Sequence, residues 1–243
     1  MYFQLKETYT IGDLLDIMEI LRSPGGCPWD REQTHQSIRN NLLEEAYEAA
    51  EAIDTDDKVL LQEELGDVLL QVVFHSRMEE ENGGFSFSDV VDGIVKKLIL
   101  RHPHVFGNGT AQNSEEVLLN WEAIKKEEKG RSTETQVLRG VSKALPALMR
   151  AQKVCRKAAK AEGKPQSLAN ALETLRENAK QAALSAETGQ KEEQMEKLGR
   201  LLLSIAELSG ILELEAEQAL SEACDRFIEK FEERENNPPT GID

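Results

Sequence analysis

Apolar residues return at every third or fourth position along most of the chain, and that spacing commits it to α-helices. The clearest run is 58–81, where Leu61, Leu65, Leu69, Val72 and Val73 form one stripe. Hydrophobic residues make up 40% of the sequence and aromatics only 5%, a balance that suits helix packing by Leu, Ala, Ile and Val better than a β-sandwich. The expected fold class is all-α.

Breakers and caps divide the chain. A first helix over 11–21 carries Leu14, Leu15, Met18 and Leu21, and Ser23-Pro24-Gly25-Gly26-Cys27-Pro28 stops it. A helix over 38–53 is expected to turn Leu42, Leu43, Ala46, Ala49, Ala50 and Ile53 inward. Asp54-Thr55-Asp56-Asp57 makes a turn and offers N-caps for the 58–81 helix, which Gly83-Gly84 ends. Further helices are expected over 88–100, capped by Ser or Asp, and over 115–128, separated by a loop around Pro103, Gly107 and Gly109. Residues 129–140 read as a linker. Beyond it, helices are expected over 172–185, 192–208 and 216–233, with Gly210 as a breaker. The tail Asn236-Asn237-Pro238-Pro239 cannot continue a helix.

The two halves align. Glu63-Glu64-Leu65-Gly66-Asp67-Val68-Leu69-Leu70 matches Glu196-Lys197-Leu198-Gly199-Arg200-Leu201-Leu202-Leu203, and Glu45-Ala46-Tyr47-Glu48-Ala49-Ala50 matches Glu177-Asn178-Ala179-Lys180-Gln181-Ala182. Apolar positions and the glycine agree, but Glu44, Glu48, Glu64 and Asp67 stand opposite Arg176, Lys180, Lys197 and Arg200. The chain therefore reads as two tandem helical repeats, 1–130 and 131–243, of which only the first keeps its acids.

Those acids have a metal-binding pattern. Residues three or four apart share a helix face. Glu44 and Glu48 are thus neighbours, as are Glu45 and Glu48, and Glu64 and Asp67. Folded back across the 54–57 turn, Glu45 and Glu48 can meet Glu64 and Asp67. Crowded carboxylates repel unless a cation joins them, and an all-oxygen set selects Mg²⁺, with Mn²⁺ as a substitute. The bland alternative, a solvated acidic face, fits Glu79-Glu80-Glu81 and Glu232-Glu233. It fits the matched pairs less well, because they lie beside the apolar stripe and are inverted in the second repeat. Gly66, costing a helix about 1 kcal/mol relative to alanine, suggests a close helix approach.

The net charge of −16 argues against direct nucleic-acid binding, and means that an anionic substrate needs a metal or a local cationic cluster. Cys27, Cys155 and Cys224 lack zinc or disulfide spacing. The N-terminus shows no signal-peptide pattern, and no uncharged apolar run could cross a bilayer. A soluble cytoplasmic protein without membrane attachment is expected.

Glu44-Glu45-x-x-Glu48 followed by Glu64-x-x-Asp67 resembles the all-α nucleoside triphosphate pyrophosphohydrolases. Several other segments are similar to the MazG family: Cys27-Pro28-Trp29-Asp30-x-x-Gln33-Thr34-His35, Arg101-His102-Pro103-His104-Val105-Phe106 and Asn120-Trp121-Glu122-x-Ile124-Lys125. The resemblance is dense over the first 130 residues, while the second repeat departs at its metal ligands. It implies a homodimer that completes the helical bundle, and hydrolysis of NTP to NMP and diphosphate. It also implies Glu45, Glu48, Glu64 and Asp67 as Mg²⁺ ligands, with Glu44 or Glu63 as the candidate base. Lys97, Arg101, Trp121 and Lys125 become nucleotide contacts, and Trp29 and Gln33 part of a base pocket. Trp121 could equally be a half-buried core residue. Glu32-x-x-His35 has a diiron-like spacing but stands single, so His35 reads as a structural polar residue. His102 and His104 are expected to pin the loop at Pro103. The competing reading is a nucleotide-sensing module, with the charge-inverted repeat as its partner or dimerisation domain.

Overall fold

The computed structural model describes residues 3–128, 130, 133–163 and 167–236. Among these are helices and no strand: α1 (Ile11–Arg22), α2 (Pro28–Glu32), α3 (Arg39–Asp54), α4 (Lys58–Glu81), α5 (Phe87–Arg101), α6 (Pro103–Phe106), α7 (Ser114–Glu128), α8 (Glu134–Arg139), α9 (Ala147–Glu162), α10 (Leu168–Thr188), α11 (Lys191–Ile211) and α12 (Ala216–Asn236). The chain divides into two compact units between Trp121 and Glu122, inside α7.

In the first unit α3 and α4 form an antiparallel hairpin, onto which α1 and α5 pack. Asp57 caps α4, its side chain accepting from Val59 N and Leu60 N, both at 3.0 Å. Such a cap contributes about 1 kcal/mol, and here it also fixes the turn that sets the hairpin's register. Asp56 takes the left-handed conformation, φ 53°, that lets the chain reverse there. Thr10 with Asp13 and Ser86 with Asp89 make capping boxes for α1 and α5. The core gathers Met18 from α1, Ile38 from the residue before α3, and Val73, Phe74 and Met78 from α4, with Leu14, Leu15, Leu70 and Phe87 around it.

Several sequence expectations change. The stretch 129–140 holds a short helix, α8, begun by a Thr133–Gln136 capping box; of that stretch, residues 129, 131 and 132 lie outside the described residues. Pro103 starts α6 instead of lying in a loop, because proline is well suited to the first helical position. Gly210 is inside α11, which runs to Ile211. α12 takes in Asn236, whereas Asn237, Pro238 and Pro239 lie outside the described residues. The expected inward stripes are only partly inside: Ala49 and Val73 are buried, whereas Leu43, Ile53, Leu65 and Leu69 are exposed, and Ala52, outside the expected stripe, is buried. Both helices carry apolar side chains on more than the one face their neighbours cover. Gly66 is not at a close approach either, since a Cβ built there meets nothing within 4 Å.

In the second unit α10 and α11 form a hairpin of the same kind, with α9 packed on α11. Gln194 Nε2 donates to Ser185 O at 3.1 Å and Asn178 Nδ2 to Arg200 O at 3.4 Å, a pairing that fixes the antiparallel register. Two of the four cations opposite the first unit's acids pair locally: Arg176 with Glu173 at 3.8 Å and Arg200 with Glu196 at 2.6 Å. All three cysteines are free. Among the described residues no helix is long and apolar enough to cross a membrane.

Candidate metal centre

Folding α3 onto α4 brings Glu45, Glu48 and Glu64 together, with one carboxylate oxygen from each lying within 4.8 Å of the others. Octahedral Mg²⁺ with bonds of about 2.1 Å places opposite oxygens roughly 4.2 Å apart, so only a small inward movement would close the set on an ion. Glu64 is 7% exposed, and its Oε2 is buried without a hydrogen-bond partner. A buried carboxylate oxygen left unpaired is costly unless a cation meets it. The all-oxygen donor set and this orphaned oxygen both fit a hard divalent cation.

The electrostatics agree. Burial raises the Glu45 carboxyl above its ordinary value of 4.5, and the charges of Asp67 and Glu48 add to the rise. Burial likewise raises Glu64, followed by the charges of Glu48, Asp67 and Glu63. Asp67 is thus close enough to act on both, although it stands outside the tight trio. Each raised carboxyl holds its proton more firmly folded than unfolded. The corresponding stability is present below pH 4.5 and lost as pH rises through the folded value. The metal-free protein should therefore weaken along that window, and Mg²⁺ should remove the effect. The measurement is the urea midpoint of wild type minus that of Glu64→Gln, followed against pH. The difference cancels His75, whose lowered value acts in the opposite sense. A flat difference would contradict the assignment.

The remaining sequence candidates are dispersed. Glu44 and Glu63 are exposed beside the trio on their respective helices. Lys97 is exposed on α5, while Arg101, the last residue of that helix, lies over the Trp121 ring at 5.5 Å from its centroid. Trp121 is half-buried, and Lys125 follows on α7 beyond the unit boundary. Trp29 is 57% exposed. Gln33 uses both ends of its amide within its own turn: Nε2 donates to Trp29 O at 2.8 Å, and Oε1 accepts from Ser37 Oγ at 2.8 Å. Arg22, which donates to Asp30 O at 2.5 Å and pairs with Glu81 at 2.8 Å, fastens this stretch to α1 and α4.

His35 is structural, as its single motif suggests, but its partners are not Glu32. Its Nδ1 meets His75 Nδ1 at 2.7 Å, and its Nε2 lies 2.9 Å from Glu79 Oε1. Sequence reasoning overlooked His75 and also Gln71, which is 7% exposed with an unpaired Oε1. The signal available was a polar line at four-residue spacing down α4, Asp67, Gln71, His75 and Glu79, set beside apolar residues. His102 Nδ1 meets Leu98 O at 2.6 Å and its ring contacts His104, so these two do hold the junction of α5 and α6.

The MazG nucleotide pyrophosphohydrolase domain model matches residues 33–106, a span containing the trio, Asp67, Lys97 and Arg101. The chain is 40% identical over 223 residues to the nucleoside triphosphate pyrophosphohydrolase/pyrophosphatase MazG of Thermotoga maritima, covering 92% of this chain and 84% of that protein. It is 40% identical over 228 residues to a nucleoside triphosphate pyrophosphohydrolase of Escherichia coli, covering 93% and 87% respectively. A third relative, from Mycobacterium tuberculosis, has the same activity in its name and is 43% identical over 151 residues, 61% of this chain and 45% of its own length.

Proposed function

Because the chain belongs to the MazG nucleotide pyrophosphohydrolase family and is a nucleoside triphosphate pyrophosphohydrolase, we propose that Glu45, Glu48, Glu64 and Asp67 hold Mg²⁺ for cleavage between the α- and β-phosphates. The observation that carries this reading is the meeting of one carboxylate oxygen each from Glu45, Glu48 and Glu64, with Glu64 buried and its Oε2 without a hydrogen-bond partner. Bound there, Mg²⁺ would offset phosphate charge and acidify the attacking water. The protein's own part is to hold four acids on two rigid helices, so that little reorganisation accompanies substrate arrival. Glu44 or Glu63, both exposed beside the trio, takes the proton of the attacking water. Lys97 and Arg101 neutralise the departing diphosphate, with Trp121 beneath Arg101 holding the guanidinium plane. Lys125, Trp29 and Gln33 complete the nucleotide contacts. The cellular role would be removal of surplus or aberrant nucleotides in the cytoplasm.

We assign this chemistry to 1–130 and read 131–243 as a degenerate repeat that serves packing. A homodimer follows from the same reading. Val91, Ile94, Val95, Leu98 and Ile99 on α5 are each about half exposed, and their spacing gathers them on one apolar face that a second copy would cover.

The direct test incubates the protein with each nucleoside triphosphate and Mg²⁺ and identifies the products. The expected result is equal NMP and diphosphate, abolished by EDTA. Nucleoside diphosphate with orthophosphate would sink the cleavage position, and turnover in EDTA would sink the metal.

A further inference from the structure

His35 stands in the turn between α2 and α3, and His75 three-quarters of the way along α4. Their rings lie edge to edge in nearly one plane, with centroids 5.0 Å apart and planes 5° from parallel, and Nδ1 meets Nδ1 at 2.7 Å. Two imidazole nitrogens at that distance require one proton between them, neither none nor two. In the neutral pair His75 Nδ1–H can donate to His35 Nδ1, leaving His35 Nε2–H facing Glu79. With one proton more, the His35 imidazolium can face both His75 and Glu79. A second extra proton puts two N–H groups nose to nose and opens the pair.

We propose that His35 and His75 are positioning residues for the metal carboxylates, a shared-proton clasp that fixes the start of α3 on α4 and thereby the spacing of Glu45 and Glu48 from Glu64. This rests on the metal reading above. Three observations support it. The clasp lies on the same antiparallel pairing as the trio, at the open end of a hairpin whose other end is fixed by the Asp57-capped turn. Ile38, three residues beyond His35 and 3% exposed, carries the fixed turn straight into the core and into α3. Glu64 Oε2, Gln71 Oε1 and His75 Nε2 are buried without partners at positions i, i+7 and i+11 of α4, so one face of that helix is polar from the trio to the clasp.

The surrounding charges are already engaged. From α1 come Glu19 and Arg22; from α4 come Arg77, Glu79, Glu80 and Glu81. Arg77 lies 3.7 Å from Glu19, 3.4 Å from Glu80 and 2.9 Å from Glu81, and Arg22 holds Glu81 at 2.8 Å. Burial raises Glu81, but the hydrogen bonds from Arg22 and Arg77 outweigh it and keep the carboxyl below its ordinary value. That leaves Glu79 as the carboxylate paired with the clasp. Burial, then the charge of His35, hold His75 below its ordinary 6.5.

The test uses the full chain, with hydrogen-exchange protection factors for residues 34–42 and Mn²⁺ affinity by calorimetry, across about pH 5.5 to 7.5. In wild type, protection of 34–42 should fall on acidification. His75→Ala should lower protection and Mn²⁺ affinity at least about tenfold at pH 7.5, the size expected when the support of a metal ligand is removed. His75→Asn keeps a donor near the Nδ1 position but cannot titrate. It should retain both at pH 7.5 and lose the acid response, and it carries the test alone if the alanine variant fails to fold. Unchanged protection and affinity in His75→Ala, or an intact acid response in His75→Asn, would overturn the clasp. Glu64→Gln is the control: undiminished Mn²⁺ binding there would overturn the metal reading, while the clasp would still be judged on the protection of 34–42.

Discussion

Replacing Glu64 with glutamine should abolish Mg²⁺-dependent diphosphate release and make the metal-free protein harder to unfold. The two effects have one cause. The Glu64 carboxylate is buried with an unpaired oxygen, and burial and the charges of Glu48, Asp67 and Glu63 all oppose its ionisation. Glutamine keeps the shape and removes the charge. A metal contact contributes several kcal/mol to charge stabilisation, so turnover should fall by about a thousandfold or more. Helical circular dichroism should be unchanged, and the urea midpoint without metal should rise. Retained turnover would remove Glu64 from the site. A lowered midpoint would mean that the carboxylate has a stabilising partner in solution.

Arg101→Ala should lower turnover about a hundredfold at saturating Mg²⁺, with a smaller change in KM. An interaction of a charged donor with phosphate is worth about 1.5–3 kcal/mol when removed, and the diphosphate gains charge as it leaves. Arg101→Lys should recover only part of this, because lysine lacks the planar fork and cannot lie as well over Trp121. Trp121→Phe should preserve most of the rate, since an aromatic face remains beneath the guanidinium. Equal rates in Arg101→Ala and wild type would place diphosphate neutralisation elsewhere.

The long helices of the first unit were legible because their signals are local. The 58–81 boundaries follow from Asp57 ahead of an apolar stripe and Asn82-Gly83-Gly84 after it, and α4 has those ends. The meeting of Glu45, Glu48 and Glu64 was legible for the same reason, since two helices joined by a short turn have little freedom in how they meet, whereas Asp67, expected with them, stands outside the tight trio. Which face of a stripe lies inside was not legible. Leu65 and Leu69 have the right spacing yet are exposed, because α3 and α4 carry more apolar surface than one chain covers. α9 was missed altogether, and α2 and α6 hide behind prolines that also read as breakers. His35 and His75 are forty positions apart, and nothing in local periodicity joins them.

The hairpin of α10 and α11 keeps the apolar pattern and the glycine of the first hairpin, but has Glu177, Lys180 and Lys197 where the first has the carboxylate cluster Glu45, Glu48 and Glu64. The architecture therefore does not need the acids in order to form. The second hairpin, with Lys180 and Lys197 in place of Glu48 and Glu64, is a natural internal control for the repulsion among the first hairpin's carboxylates. Measured side by side, the local opening free energies of the two hairpins in one molecule would give the stability sacrificed to activity, with solvent, temperature and chain held in common.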